Sequence, residues 1–560
     1  MKIISASTSN RASTLVTTLV LSMVMGLAVA AVLRLNAFRT MSEHGRAQWN
    51  DCYYQAENAM DWGAQKIADA TVGGPSAPFL GNYSVRGGQL NLSYMAALVS
   101  GSNSYFKNAW VSISNHPSGL ANLYRVTSSA RVKDKVRTIQ ATIRKNPPSQ
   151  LFDYEYFLNN WGWWWGSSIT GNGDQRANWD FDFRGNPRVN GNILASGSVD
   201  SNGNPIDPLS GTPPFVGLAG NDPAAYVHAG VPRLQMPNLK DFTYYENKAR
   251  AVGGQLSVGG TVVVSAVHTN GAKPGLYLAG TTAVPIVING PVVIGGDVVI
   301  KGVITGIGTL YVGGNLYVAG DLTYKAGPDY ATAPAGMSDA ARDTWVLNAL
   351  NDHKDLVAFA VRENVLGGDV NSAQWKSDAY DASVYGLKFV GGEANLGEDG
   401  IAGTPDDGIL YKDTDGNGTP DSAWYDADGD AVVDANYNYD AQLKMTSTRI
   451  GKLHNYPVDG VGDPVSFSSL ANNTMNRLDG VFYSNHAVAM RLAKNDTVMN
   501  GTVISRDEAI IFNRSLKLVY DPRIHSRYSD DPNRFIDLGL PVANKVRLEL
   551  VEEITPREGF

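Results

Sequence analysis

Cysteine is almost missing from the 560 residues: Cys52 stands alone. A single thiol excludes an intramolecular disulfide framework and any zinc site built on cysteine pairs. Charge is also scarce, at 18% of residues, and no basic stripe runs along the chain, so nucleic acid is not an expected partner. The eight histidines (44, 116, 228, 268, 353, 454, 486 and 525) show no metal-ligand spacing and no hydrolase-type motif. No Walker A sequence is present. Proline does not interrupt the stretch from Thr14 to Thr71, so nothing there stops a helix.

Against these absences stand 59 glycines and one long apolar run. Twenty uncharged residues, Thr14 to Leu33, lie between Arg11 and Arg34. At ~1.5 Å per residue a helix of this length spans ~30 Å, the thickness of a bilayer core. Ala28-Val29-Ala30 allows a signal-type cut after Ala30. However, Phe38, Met41, Gly45, Trp49, Cys52, Ala56, Ala59, Gly63 and Ile67 continue the helix at steps of three and four. The expectation is one continuous helix, its first third in lipid and the rest lying on a folded body.

Beyond it, residues 124–145 alternate as a hairpin turning near Lys133-Asp134, and 145–150 read as a linker. Gly290, Gly296, Gly302, Gly308, Gly314 and Gly320 then recur every six residues. Val292, Val298, Ile304, Leu310, Leu316 and Leu322 each follow two residues later. Gly185, Gly191, Gly197 and Gly203 keep the same interval, and Gly254 and Gly260 hint at it again. Six-residue spacing of turn glycines and apolar residues predicts a parallel β-solenoid whose apolar residues stack inward. Residues 337–350 read as a short helix N-capped by Ser338, and 478–524 return to short strands. The fold class expected is α+β, mostly β: a long N-terminal helix followed by a β-rich ectodomain with a parallel β-solenoid.

The acidity is local. Residues 398–440 hold twelve acids and one base, Lys412. "DTDGNGTPD" places Asp413, Asp415, Asn417 and Asp421 at positions 1, 3, 5 and 9, and "DADGDAVVD" places Asp426, Asp428, Asp430 and Asp434 likewise. Thr419 and Val432, at position 7, offer backbone carbonyls. Alternate oxygens in a tight loop suit Ca2+, which takes six to eight hard ligands. Trp424 and Tyr437 occupy position 12, where an EF-hand carries Glu, so the EF-hand reading fails. Without cations these carboxylates would repel one another. "NNWGWWWGSS" (159–168) clusters Trp161, Trp163, Trp164 and Trp165, which serve either as a stacking platform for a glycan or as a cap on the first turn of the β-structure, the cap being preferred. Asp479, Asp507 and Glu508 are the acids a polysaccharide-acting enzyme of this architecture could use.

The N-terminal helix resembles that of the type IV pilin superfamily, specifically PilX-type minor pilins, through "RASTLVT" and the "YYQAENAM" segment that follows the apolar run, and much of 150–330 and 475–525 resembles the large ectodomains that accompany such N-termini. The tandem acidic loops resemble thrombospondin type 3 repeats. The first resemblance implies a leader, 1–12, cut by a prepilin peptidase between Ala12 and Ser13. It also implies an inner-membrane precursor that later joins other pilin subunits through its helix on an extracellular pilus or cell surface. Ala12 stands where the family has Gly, and Thr17 where major pilins have Glu, which suits a minor, priming or tip subunit. The organisation implied is leader 1–12, helix 13–70, a small α+β unit 71–147, solenoid 150–395, calcium loop insertion 396–440, and a C-terminal β region 441–560 completing the ectodomain. The expected function is non-enzymatic: adhesion to a glycan or surface target, or filament priming, with Ca2+ as stabiliser. The alternative is a secreted or anchored β-helix enzyme acting on polysaccharide.

Overall fold

The computed structural model describes residues 9–69, 89–91, 108–118, 123–145, 149–159, 162–178, 181–185, 187–196, 209–211, 226–237, 239, 242–269, 271–333, 338–381, 409–412, 422–425, 435–436, 439–457, 466–492, 496–506, 509–512, 515–531, 533–542 and 546–554. The chain divides into two compact units. One contains residues 1–70, 74–145 and 546–560; the other contains 71–73 and 146–545.

In the first unit a long helix, α1 (Ser9–Asp69), packs on a five-stranded antiparallel sheet. The strands are β1 (Gln89–Asn91), β2 (Ala109–Asn115), β3 (Leu123–Val132), β4 (Lys135–Lys145) and the C-terminal strand Val546–Ile554, in that order across the sheet. The hairpin expected at Lys133-Asp134 is present, and Lys133 takes the left-handed conformation the tight turn requires (φ 56°). Cys52, Ala56, Ala59, Met60 and Ile67 bury against Val111, Val126, Ala130, Ile139, Ala141 and Ile143. Small residues on the helix let it sit close to the sheet. At Gly63 a Cβ would lie 2.9 Å from Val126 Cγ1 and 3.1 Å from Val111 Cγ2.

The C-terminal strand differs from expectation. Residues 546–554 do not complete the large β-structure; they pair antiparallel with β4, Val546 opposite Lys145. Everything between those two paired residues is therefore an insertion between neighbouring strands of one small sheet. Alternation in "VRLELVEEI" marks a strand but carries no information about its partner.

The second unit is mostly β, and its large sheet is almost wholly parallel. Gly290 pairs with Gly308 and Val298 with Leu316, so stacked residues are three six-residue intervals apart. Six strands close a ring. Ile286–Ile294 pairs with Ile307–Val312, that with Leu356–Val361, that with Arg477–Ser484, that with Leu316–Tyr324, that with Val298–Thr305, which returns to Ile286–Ile294. Every one of these pairings is parallel. The sequence suggested short strands of a solenoid; the structure shows a closed parallel barrel of six strands. The physical reason is that strands run through Gly290, Gly302, Gly308 and Gly320 instead of ending at them, while Gly296 and Gly314 fall between strands. Val298–Thr305 pairs with Leu316–Tyr324 on both sides of Gly302, with Gly275–Gly280 up to Gly302, and with Ile286 past it through Ile304.

Ile288, Val292, Ile294, Val298, Ile300, Ile304, Leu310, Val312, Leu316, Val318 and Leu322 are fully buried in the interior. The outward face is covered as well. Val293, Tyr311 and Leu356 lie beneath the helix Phe242–Val252 and residues near 536–540, and Tyr277, Val299 and Tyr317 lie beneath Trp375, Leu443 and Phe467. Parallel strands buried on both faces read as continuous apolar runs, as in "PVVIGGDVVI". The helix expected at 337–350 is Asp339–Asn351, with Ser338 at its N-cap position. A buried ion pair, Arg523 Nη2 to Asp521 Oδ2 at 2.6 Å, fixes the segment beside it. Tyr330 Oη donates to Asp521 Oδ2 at 2.8 Å, and Arg523 also donates to the carbonyls of Lys354 and Asp355.

Candidate functional site: the N-terminal helix

Helix α1 has two halves with opposite surroundings. From Cys52 to Ile67 its small face is buried on the sheet. From Val16 to Leu33 it is apolar on every side, and it stays uncovered as far as Met41, with Leu19 68% exposed, Leu33 63% and Phe38 76%. The helix is long and apolar enough to cross a membrane. A helix that is apolar all round needs lipid or other helices around it. The stripe read as one continuous face thus divides: Phe38 and Met41 remain exposed, while Cys52, Ala56, Ala59 and Ile67 pack within the first unit.

Ala12 and Ser13, the expected processing residues, both lie inside α1 near its start. Thr17, exposed at the fifth position after that bond, is uncharged. The first acid along α1 is Glu43, so the apolar half offers no carboxylate. Where the helix reaches the sheet, Arg137 of β4 lies over the rings of Trp49 (4.8 Å) and Tyr53 (4.7 Å) while Nε donates to Glu553 Oε1 at 2.6 Å. One guanidinium therefore joins the helix, β4 and the C-terminal strand. Cys52 Sγ donates to Ala130 O at 2.8 Å, and its full burial gives it a packing role.

The expected calcium ligands Asp413, Asp415, Asn417, Thr419, Asp421, Asp426, Asp428, Asp430, Val432 and Asp434 lie outside the described residues. Their flanks do not. Ile409–Lys412, Ser422–Tyr425 and Ala435–Asn436 form a three-stranded antiparallel sheet. Lys412 pairs with Ser422 and Tyr425 with Ala435. Asp413 and Asp421 adjoin the first pair, and Asp426 and Asp434 the second, so positions 1 and 9 of each acidic run leave from paired residues.

Trp164 is buried in the main core, edge-on to Tyr156 at 5.9 Å; Trp161 lies outside the described residues. Asp479 is fully buried, accepting from Tyr324 N (2.8 Å), Asn500 Nδ2 (2.6 Å) and Arg477 Nε (2.8 Å). A carboxylate so enclosed is not presented to a polymer chain. Asp507 and Glu508 lie outside the described residues. Among the described residues no group of three or more His, Cys, Asp or Glu is placed to hold a metal ion.

No family model matches the chain, and no curated protein matches it. Among solved structures, the crystal structure of the competence-associated pilin ComZ from Thermus thermophilus aligns over 90% of this chain and 97% of its own, at 12% identity and a TM-score of 0.28. A superposition at that score carries no conclusion about fold or function.

Proposed function

We propose that this chain is a membrane-inserted subunit of a type IV pilus or related filament, a PilX-type minor or tip subunit. In this reading the large parallel β unit, built on its six-stranded barrel, is displayed outside the cell for adhesion or for priming assembly. The observation that carries it is the divided helix: one half packs on a small antiparallel sheet, and the other is apolar all round. Such a half is stable first in a bilayer and then among the helices of neighbouring subunits. Its lack of a carboxylate suits a subunit of low copy number over one that forms the shaft. Prepilin peptidase acts between Ala12 and Ser13, and the precursor resides in the inner membrane.

The protein performs no catalysis; the burial of Asp479 supports this over a polysaccharide-acting enzyme. Calcium binds the two acidic runs as a staple, in the manner of thrombospondin type 3 loops. The antiparallel strands that bring the two ends of each run together support that assignment. Chain ends already held together lose less entropy when ligands converge on an ion.

The test is N-terminal sequencing of the mature protein from sheared surface filaments. A start at Ser13, in a filament fraction, is expected. A start at Ala31, or recovery free in the medium without the helix, overturns the reading. In the same preparation, removing calcium with EGTA should lower the unfolding temperature, and Asp415→Asn with Asp428→Asn should abolish that sensitivity.

A further inference from the structure

Two of the histidines, far apart in sequence, come together at the margin of the large β unit. His268 ends the strand Val267–His268, which pairs with Ile286–Ile294. His454 lies in Leu453–Pro457, which pairs with Gly275–Gly280, His454 opposite Leu276. Their rings stand 5.3 Å apart, centre to centre, with an interplanar angle of 71°. Both residues are partly exposed.

The tautomer of one ring follows from its partner. His268 Nε2 is 3.0 Å from Lys273 O. A carbonyl oxygen can only accept, so Nε2 carries hydrogen, and in the neutral ring Nδ1 keeps its lone pair. Donation of one ring N–H to a backbone carbonyl is how metal-binding imidazoles are oriented. Burial, then the neighbouring His268 and Lys273, hold His454 below its ordinary value. Two imidazoles bound to one tetrahedral zinc ion at about 2.0–2.1 Å have ring centres about 5 Å apart, close to the separation found.

We propose that His268 and His454 form a two-imidazole site for a borderline first-row divalent cation, zinc(II) in type, with water completing the coordination. Imidazole favours zinc, copper and nickel over calcium, so the site differs in chemistry from the acidic runs. A bound ion would tie Leu453–Pro457, the first long strand after the acidic segment, to the turn that follows Val267–His268. The nearby Lys273 ammonium opposes a second positive charge and keeps the affinity moderate.

The experiment titrates zinc chloride into the full-length chain in detergent micelles by calorimetry, with excess calcium chloride present to occupy the acidic runs. One zinc ion per chain is expected. His268→Ala and His454→Ala should each weaken binding by about tenfold or more, while His44→Ala should not change it. Electron paramagnetic resonance of the unsubstituted chain with one equivalent of copper(II) should show coupling to two imidazole nitrogens, a readout that does not depend on any variant folding. Zinc binding unchanged in both variants, or a copper spectrum without nitrogen coupling, overturns the site.

Discussion

Arg137 and Glu553 form an ion pair between adjacent strands although 416 positions separate them in the chain. The same guanidinium lies against Trp49 and Tyr53 of α1. The pair closes the small unit at the point where the C-terminal strand meets the helix.

Substitution there should loosen the small unit. Arg137→Ala removes a two-pronged charge-assisted contact and two cation–π contacts, and should cost about 1–2 kcal/mol. Glu553→Gln keeps the stacking and should cost about 1 kcal/mol or less, because Glu553 is 43% exposed. Arg137→Lys should recover little, since an ammonium cannot reproduce the planar fork. Chemical denaturation of the three variants measures this order; equal losses for Arg137→Ala and Glu553→Gln would mean that the stacking contributes nothing.

Two glycines of the six-residue series should respond in opposite ways. Gly302 has φ 96°, and a Cβ there would lie 1.9 Å from Gly280 O, so Gly302→Ala should cost about 3 kcal/mol or more. At Gly320 the nearest atom to an added Cβ is Lys301 Cβ at 3.5 Å, so Gly320→Ala should change stability by less than about 1 kcal/mol. Thermal unfolding of both variants decides it, and similar melting temperatures would contradict the stacked backbones described.

Stability should fall above neutral pH because of one buried acid. Burial lifts the Glu155 carboxyl from 4.5 to about 8, so the folded chain holds a proton that the unfolded chain releases. A raised value gives a contribution that is full below about pH 4.5 and lost as pH climbs through about 8. Burial lowers His486 and His525 from 6.5 to about 3; their contribution is present above pH 6.5 and lost as pH falls toward 3. Asp153, raised to about 6 by burial, has largely titrated below neutrality. Between pH 6.5 and 8 the Glu155 effect therefore dominates these four, with a slope of at most about 1.4 kcal/mol per pH unit. Urea unfolding across that window should show the decline in the unsubstituted chain and a flatter profile in Glu155→Gln; matching slopes would remove Glu155 as the cause.

Features encoded by local periodicity were legible in the sequence. The unbroken apolar run gave α1, alternation around Lys133-Asp134 gave a hairpin, and the glycine interval gave parallel stacking with Ile288, Val298 and Leu316 inside. What escaped depends on partners far along the chain. Nothing in "VRLELVEEI" says that it pairs with β4, and nothing near His268 points to His454. The role of the glycines was also only partly read. Gly290 and Gly302 do adopt positive φ, but Gly308 is required because a Cβ would meet Gly290 O at 2.5 Å. That crowding comes from the neighbouring strand. The outer cover over Tyr277, Tyr311 and Tyr317 was invisible for a similar reason: a residue buried from outside a sheet looks, in sequence, like one buried from inside.

The opposition of Lys145 and Val546 has a mechanical consequence. The two ends of the segment 146–545 leave from one end of two hydrogen-bonded strands. A pull on the chain at both points loads the two strands together at that end, where they are hydrogen-bonded to each other. Shared loading of this kind lets a bulky insert be pulled hard without unzipping the sheet that holds it.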